Sequence, residues 1–306
     1  MSASPLVVLG PTASGKSALA FALAQRIGTA QIISADAKAV YRGMDIGTAK
    51  PSVEEQAAVP HHLVDVVDPA DDFALGQFQV LVAEAIEAIE RAGDLPIIVG
   101  GTGLYVQAIV DDFTTPDRFP DVAEGLERNP DSLALYAQLA ELDPQAATKM
   151  EPNNRRRIIR ALEVTLGSGK PFSSFGPGVD AFPATRFTLI GLEIERTVMD
   201  QRINDRFDAH MAAGFLAEVA SLPQPLSRTA AASLGYRELL AHLAGRTSET
   251  EAIELAKSRT RRFARRQQRW FRRDPRIYWL EATAPDLIEQ ALALVDPTFR
   301  GRLESR

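Results

Sequence analysis

The run Gly10-Pro11-Thr12-Ala13-Ser14-Gly15-Lys16-Ser17 satisfies the pattern G-x-x-x-x-G-K-S. It lies between an apolar tetrad, Leu6-Val7-Val8-Leu9, and a segment in which Ala18, Leu19, Ala22, Leu23 and Ala24 recur at helical spacing. A strand, a glycine loop and then a helix is the context that gives this pattern meaning. Glycines let backbone N–H groups turn inward around a phosphate, and the following helix presents its positive N-terminal end. Lys16 can reach terminal phosphate oxygens, and the Ser17 hydroxyl can ligate Mg2+. A diphosphate-bearing ligand is expected on residues 10–17.

The alternation continues along the chain. Ile32-Ile33 reads as a second strand, residues 63–67 as a short third, 78–91 as an amphipathic helix closed by Gly93, and 96–99 as a fourth strand ending at Gly100-Gly101. Such alternation implies a parallel sheet covered on both faces. From 113 to 182 prolines, acids and glycines increase, and the clear patterns are helical, at 132–141 and 154–166. An apolar strand returns at 187–194. Helices are expected at 199–213, 214–222, 237–243 and 249–271, and a last strand at 277–280. The expected fold is α/β, a P-loop NTPase-like parallel sheet flanked by helices with a small inserted helical domain. The core would take 1–112 and 183–306, with basic helices at its C-terminal end, and the insertion 113–182.

A phosphate loop alone usually belongs to a kinase or NTPase, where a partner strand ends in a metal-holding aspartate. Here Ile97-Ile98-Val99 ends in Gly100-Gly101-Thr102-Gly103 without an acid, and Asp65 is a possible substitute. The second strand does end in an acid, Ser34-Ala35-Asp36, at the carboxyl edge where such sheets place ligands. The net charge of −6 argues against a nucleic-acid partner until its distribution is considered. Between Lys257 and Arg276 stand ten basic residues and one acid, Asp274, so that segment carries about +9 and the remainder about −15. With no cysteine, disulfides and thiolate metal sites are excluded, and the four histidines (His61, His62, His210, His242) do not form a ligand pattern. No apolar stretch approaches the ~20 residues of a membrane span, and residues 1–5 do not read as a signal peptide. A cytoplasmic protein without membrane attachment is expected.

Beyond Asp36 come Val40-Tyr41-Arg42-Gly43-Met44-Asp45-Ile46-Gly47-Thr48-Ala49-Lys50-Pro51, then His61-His62-Leu63-Val64-Asp65, Gly100-Gly101-Thr102-Gly103-Leu104-Tyr105 and Arg157-Ile158-Ile159-Arg160-Ala161-Leu162-Glu163-Val164. Gly235-Tyr236-Arg237-Glu238 and Ala264-Arg265-Arg266-Gln267-Gln268-Arg269-Trp270-Phe271-Arg272-Arg273 follow. These blocks, with the phosphate loop, resemble the tRNA dimethylallyltransferase family across roughly residues 5 to 281. The resemblance implies that dimethylallyl diphosphate sits with Mg2+ in the loop Gly10, Pro11, Thr12, Ala13, Ser14, Gly15, Lys16 and Ser17. It implies that Asp36 accepts a hydrogen from the adenine N6 amino group and takes its proton. Thr102 would hydrogen-bond the oxygen that links the prenyl group to the leaving diphosphate, and Lys16 and Arg237 would stabilise the departing charge.

The implied RNA partner is a tRNA anticodon stem-loop, whose target adenine must be extruded to reach such a site. Its contacts would come from Asp36, Ala37, Lys38 and Ala39, from Arg156, Arg157 and Arg160 of the insertion, and from Arg265, Arg266, Gln267, Arg269, Arg272 and Arg273. These arginines, with Arg262, recur at helical spacing and form a basic face. Phe263 and Trp270 lie on another face and read as core. After Asp36 the family usually shows Ser, a variable residue and Gln, where this chain has Ala37, Lys38 and Ala39. Asn154 stands where the family usually has Asp. Three other readings share these residues: an isopentenyltransferase acting on free AMP or ADP, a small-molecule kinase, and an RNA-binding protein without catalysis. A monomer is expected.

Overall fold

The tetrad Leu6–Leu9 forms β1, every residue of which is buried. It lies in a six-stranded sheet with β2 (Ala30–Ser34), β3 (His61–His62), β4 (Leu95–Gly100), β5 (Thr188–Glu193) and β6 (Tyr278–Glu281), in the order β3-β2-β4-β1-β5-β6. All strand pairings are parallel. The computed structural model describes residues 4–176 and 178–295; residues 1–3 and 296–306 of the expected core range, and 177 of the expected insertion, lie outside the described residues.

Side chains alternate across a strand, and β1 uses that to build two cores. Val7 and Leu9 join Ile33, Ile98, Phe78, Val82, Ile86 and Ile89 on one face. Leu6 and Val8 join Ile32, Ile97, Leu19, Leu23 and Ile27 on the other. The helices that cover these faces are α1 (Lys16–Ile27) and, beyond the short α2 (Val53–Ala58), α3 (Leu75–Ala92); α4 (Gly103–Val110) follows β4. The chain divides into two compact units, one running to Asp111 and resuming at Phe182, the other Asp112–Ala181. The second unit holds α5 (Pro120–Glu127), α6 (Ser132–Leu142), α7 (Pro144–Thr148) and α8 (Arg155–Ser168). Leu126, Leu135, Leu139, Ile158 and Leu162 form its core. Its buried Glu163 accepts from the Phe119 N–H at 2.9 Å and from Arg160 at 2.7 Å.

The first unit resumes with α9 (Arg196–Ala212), α10 (Phe215–Ser221), α11 (Arg228–Ala231), α12 (Tyr236–Leu243), α13 (Glu249–Phe271) and α14 (Leu287–Leu292). Ser248 and Glu251 close a capping box at the start of α13. Polar pairs at four-residue intervals join α13 to α9: Arg265 to Asp200, Arg261 to Asn204 and Lys257 to Asp208. Rising numbers on one helix meet falling numbers on the other, so the two run antiparallel.

Two expectations need correction. The third strand is His61–His62, not 63–67, because Leu63 and Asp65 have φ of 61° and 57°, left-handed backbone that cannot continue a strand. Only the bridge of Tyr41 to Val67 falls near the expected range. Helices α4 and α5 are not anticipated in the sequence, α4 beginning inside the glycine run after β4, and α2, α7, α11 and α14 are too short to show two turns of periodicity.

The register brings three strand ends level. Leu9 pairs with Gly100, and Ser34 with Val99. At that edge a Cβ on Gly100 would stand 2.4 Å from the Ala35 carbonyl oxygen, which only backbone movement could relieve. Gly100→Ala is therefore expected to cost about 1–3 kcal/mol by overpacking, read as a lower denaturant midpoint with an unchanged slope.

Candidate active site

The loop after β1 turns through Ala13 at φ 65° and Gly15 at φ 92°, and Gly15 caps α1. At Gly15 no Cβ resists that left-handed angle. Three long-range contacts shape the loop. The Thr12 N–H donates to Gln267 Oε1 at 2.9 Å, Gln267 Nε2 donates to the Gly101 carbonyl at 2.7 Å, and Arg206 donates to Thr12 Oγ1 at 2.5 Å. Lys16 Nζ donates to the Pro11 carbonyl at 3.4 Å. Enclosure of that ammonium lowers its pKa to about 8; nearby Asp36 opposes the shift and Arg206 adds to it. Ser14 is 1% exposed and its Oγ has no protein partner. A buried hydroxyl, an enclosed ammonium and a helix N-terminus fit a bound phosphate.

Across the edge, Asp36 follows β2. Its Oδ1 accepts from the Lys38 N–H at 2.8 Å, and its own N–H donates to Ser34 Oγ at 3.4 Å. The Ala37 N–H donates to Thr102 Oγ1 at 3.4 Å, and Thr102 caps α4. The Asp36 carboxylate acts on Lys16, Lys38, Arg206 and Tyr105 alike. Burial, then Tyr41 and Asp36, push the Tyr105 phenol up to about 12. Lys38 Nζ donates to the Thr229 carbonyl at 2.6 Å, and Ala39 is buried. The segment beyond is held by Glu218, which accepts from the N–H groups of Asp45, Ile46 and Gly47 and from the Tyr236 hydroxyl. Asp65, the possible substitute acid, is bound to Lys50 at 2.5 Å. Among the described residues no group of three or more His, Asp or Glu could hold a metal. Mg2+ here would rest on the exposed Ser17 hydroxyl and on ligand oxygens.

Lys16, Asp36 and Thr102 thus meet at one edge with the loop, and four other expected residues do not stand as anticipated. Arg237 is 48% exposed and donates to Glu238 Oε1 at 3.0 and 3.1 Å; the guanidinium on the loop is Arg206. Arg206 precedes the buried Phe207 on α9 and reads in sequence as an ordinary solvated arginine, so no local signal marks it. Gln267 is 6% exposed and faces the loop, opposite the basic face with which it was grouped. Arg160 is engaged by Glu163 and by the carbonyls of Pro116 and Asp117. Arg265 is half-buried on Asp200.

Arg156 and Arg157 of the second unit are exposed, as are Arg262, Arg266, Arg269, Arg272 and Arg273. Arg262, Arg265, Arg266, Arg269 and Arg272 line an open groove with Arg196. Arg272 is paired with Glu193, and Arg273 lies 4.1 Å over the Trp270 ring. Trp270 packs into the core against Gly103, where a Cβ would fall 2.3 Å from Cδ1.

The family model described as IPP transferase matches residues 39–274. The chain belongs to the IPP transferase family. It is 44% identical over 299 residues to the tRNA dimethylallyltransferase of Bifidobacterium longum (strain NCC 2705), covering 94% of this chain and 89% of that protein. The full-length tRNA isopentenylpyrophosphate transferase of Bacillus halodurans superposes with a TM-score of 0.69 at 36% identity, over 99% of this chain and 97% of that one. A eukaryotic dimethylallyltransferase seen acting on tRNA gives 0.79 at 28% identity, over 95% and 77%.

Lys16 carries its charge below a pH of about 8 and loses it above, so its grip on an anion weakens as pH rises. Titrating inorganic pyrophosphate into wild type and Lys16→Met checks this. The wild-type advantage is expected to hold below that pH and to shrink by up to about tenfold per unit above it; an advantage independent of pH would contradict the assignment.

Proposed function

We propose that this chain transfers the dimethylallyl group from dimethylallyl diphosphate to the N6 amino group of the adenosine 3′ of the anticodon in tRNA, releasing diphosphate. The observation that carries the reading is the shared edge. A phosphate loop faces Asp36 and Thr102, while β4 ends at Gly100 and runs on into Gly101-Thr102, where a kinase of this architecture carries a metal-holding acid.

In this reading Lys16, Arg206 and the loop N–H groups hold the diphosphate, and the Ser17 hydroxyl would hold Mg2+, which would supply further neutralising charge. Thr102 Oγ1 already accepts from the Ala37 N–H, so its own proton is free to donate to the oxygen that bridges prenyl carbon and phosphorus. Asp36 Oδ1 is held by the Lys38 N–H, which leaves Oδ2 to accept from the adenine amino group. The carbon–oxygen bond breaks as the carbon–nitrogen bond forms, the electron pair leaves on diphosphate, and the amino proton passes to Asp36. An exocyclic adenine amine is a weak nucleophile, so positioning and leaving-group stabilisation supply most of the rate.

The RNA is assigned to residues 36–39, to Arg156 and Arg157, and to the exposed arginines of α13 and the turn after it, Arg266, Arg269, Arg272 and Arg273, with Arg265 beside them. Arg160 and Gln267 support these surfaces from within, and Arg237 acts from the rim. Among the described residues no helix is long and apolar enough to cross a membrane. We place the reaction in the cytoplasm and assign it to a single chain.

The test is transfer of label from dimethylallyl diphosphate to an anticodon stem-loop, with AMP and ATP as rival substrates. Label is expected in the stem-loop and not in AMP. Asp36→Ala is expected to lower the rate by about 10²-fold or more, and chelation of Mg2+ to abolish transfer. Label in AMP alone would move the chain to free-nucleotide prenylation, phosphoryl transfer from ATP would make it a kinase, and RNA binding without any transfer would leave the non-catalytic reading.

A further inference from the structure

The chain leaves the sheet-bearing unit at Asp111 and returns to it at Phe182, and one guanidinium ties these two points together. Arg276 lies between α13 and β6 and belongs to the same unit. Its Nη1 donates to Asp111 Oδ1 and to the Pro183 carbonyl, each at 2.6 Å. Its Nε and Nη2 hold the two oxygens of Asp274 at 2.8 and 2.6 Å. The guanidinium carbon lies 5.5 Å from the centroid of the Phe182 ring. Beside it Thr185 Oγ1 donates to the Val110 carbonyl at 2.9 Å, a second stitch between the outgoing and returning segments.

The environment makes this a strong clamp. The Arg276 side chain is 15% exposed and that of Asp111 only 1%. Asp111 Oδ2 has no protein partner, so Arg276 is the cation that compensates this buried carboxylate. Hydrogen bonds to Asp274 first, and then to Asp111, raise the arginine's pKa despite burial. A planar fork with five donors can engage two carboxylates and a carbonyl together; a lysine offers a single point charge. Besides its neighbour Asp274, the groups it binds stand at the roots of the second unit, and none belongs to the phosphate loop or the Asp36 edge.

We propose that Arg276 is a positioning residue for the RNA acceptor, pinning the two roots from which the second unit grows and so setting affinity for RNA separately from affinity for the prenyl diphosphate. The inference rests on the proposed function, in which Arg156 and Arg157 of that unit grip the stem-loop. Fixing both ends of an appended unit reduces the conformational freedom it must surrender when RNA binds.

The experiment compares wild type, Arg276→Lys, Arg276→Met and a charge-balanced triple variant, Arg276→Met with Asp111→Asn and Asp274→Asn. The triple variant avoids the buried unpaired carboxylates that could unfold the single one. In the triple variant KM for the stem-loop is expected to rise about tenfold, a typical coupling, while KM for dimethylallyl diphosphate changes less than about twofold, within the error of additivity. Arg276→Lys should fall between wild type and Arg276→Met. Hydrogen exchange should quicken at the amides of 110–112, 182, 184 and 185, with the core amides around Leu135 and Ile158 unchanged. Equal rises in both KM values, or no rise for the stem-loop in the triple variant, would overturn the inference. Failure of the wild type itself to label the stem-loop would overturn the proposed function and this inference with it.

Discussion

The site depends on a buried amide. Gln267 accepts from the Thr12 N–H with one end and donates to the Gly101 carbonyl with the other, and so joins the loop after β1 to the loop after β4. Each contact satisfies a backbone group that would otherwise be left unpaired next to the phosphate site, where an unmet donor or acceptor is costly. The same side chain anchors α13 against the sheet edge. A Cβ at Gly101 would stand 2.5 Å from the Gln267 nitrogen and would displace that amide from its contacts. Loop shape, the place of Thr102 at the start of α4 and the seating of the longest helix thus share one constraint.

Around that joint the electrostatics are unbalanced by design of position. Lys16, Lys38 and Arg206 surround the single carboxylate of Asp36. Burial lowers the pKa of each of these cations, and Asp36 opposes that shift. A diphosphate bound there, as proposed, would bring the negative charge the cluster lacks, and its departure charge would fall on groups already in place. Preorganised charge of this sort needs little rearrangement at the moment of reaction. Lys38 and Glu218 hold the segment beyond Asp36 through the Thr229 carbonyl and the backbone of 45–47, which keeps the carboxylate facing the loop.

Much of this was legible in the sequence because it is local. The apolar runs of β1 and β4 are bounded by glycine, and the arginines of α13 recur at helical spacing. The phosphate loop, Asp36 and Thr102 lie at strand ends, so a parallel sheet alone brings them together. What could not be read depends on partners far along the chain. Nothing near Arg206 distinguishes it from Arg202, and only the approach of α9 to Thr12 gives it a role. Arg237, Arg160 and Gln267 belong to suggestive runs, yet Glu238, Glu163 and the phosphate loop claim them. The third strand failed for a backbone reason: the left-handed turns at Leu63 and Asp65 leave no trace in hydrophobicity.

Helix α13 has two opposed faces with separate duties. Ala264, Gln267 and Phe271 point inward, while Arg262, Arg266 and Arg269 point to solvent. Rigid secondary structure keeps the two sets at fixed angles, so a change on the outer face leaves the inner one undisturbed. The outward arginines are thus insulated from the Gln267 joint, and the solvent face of the helix can be retuned without reaching the loop beneath it.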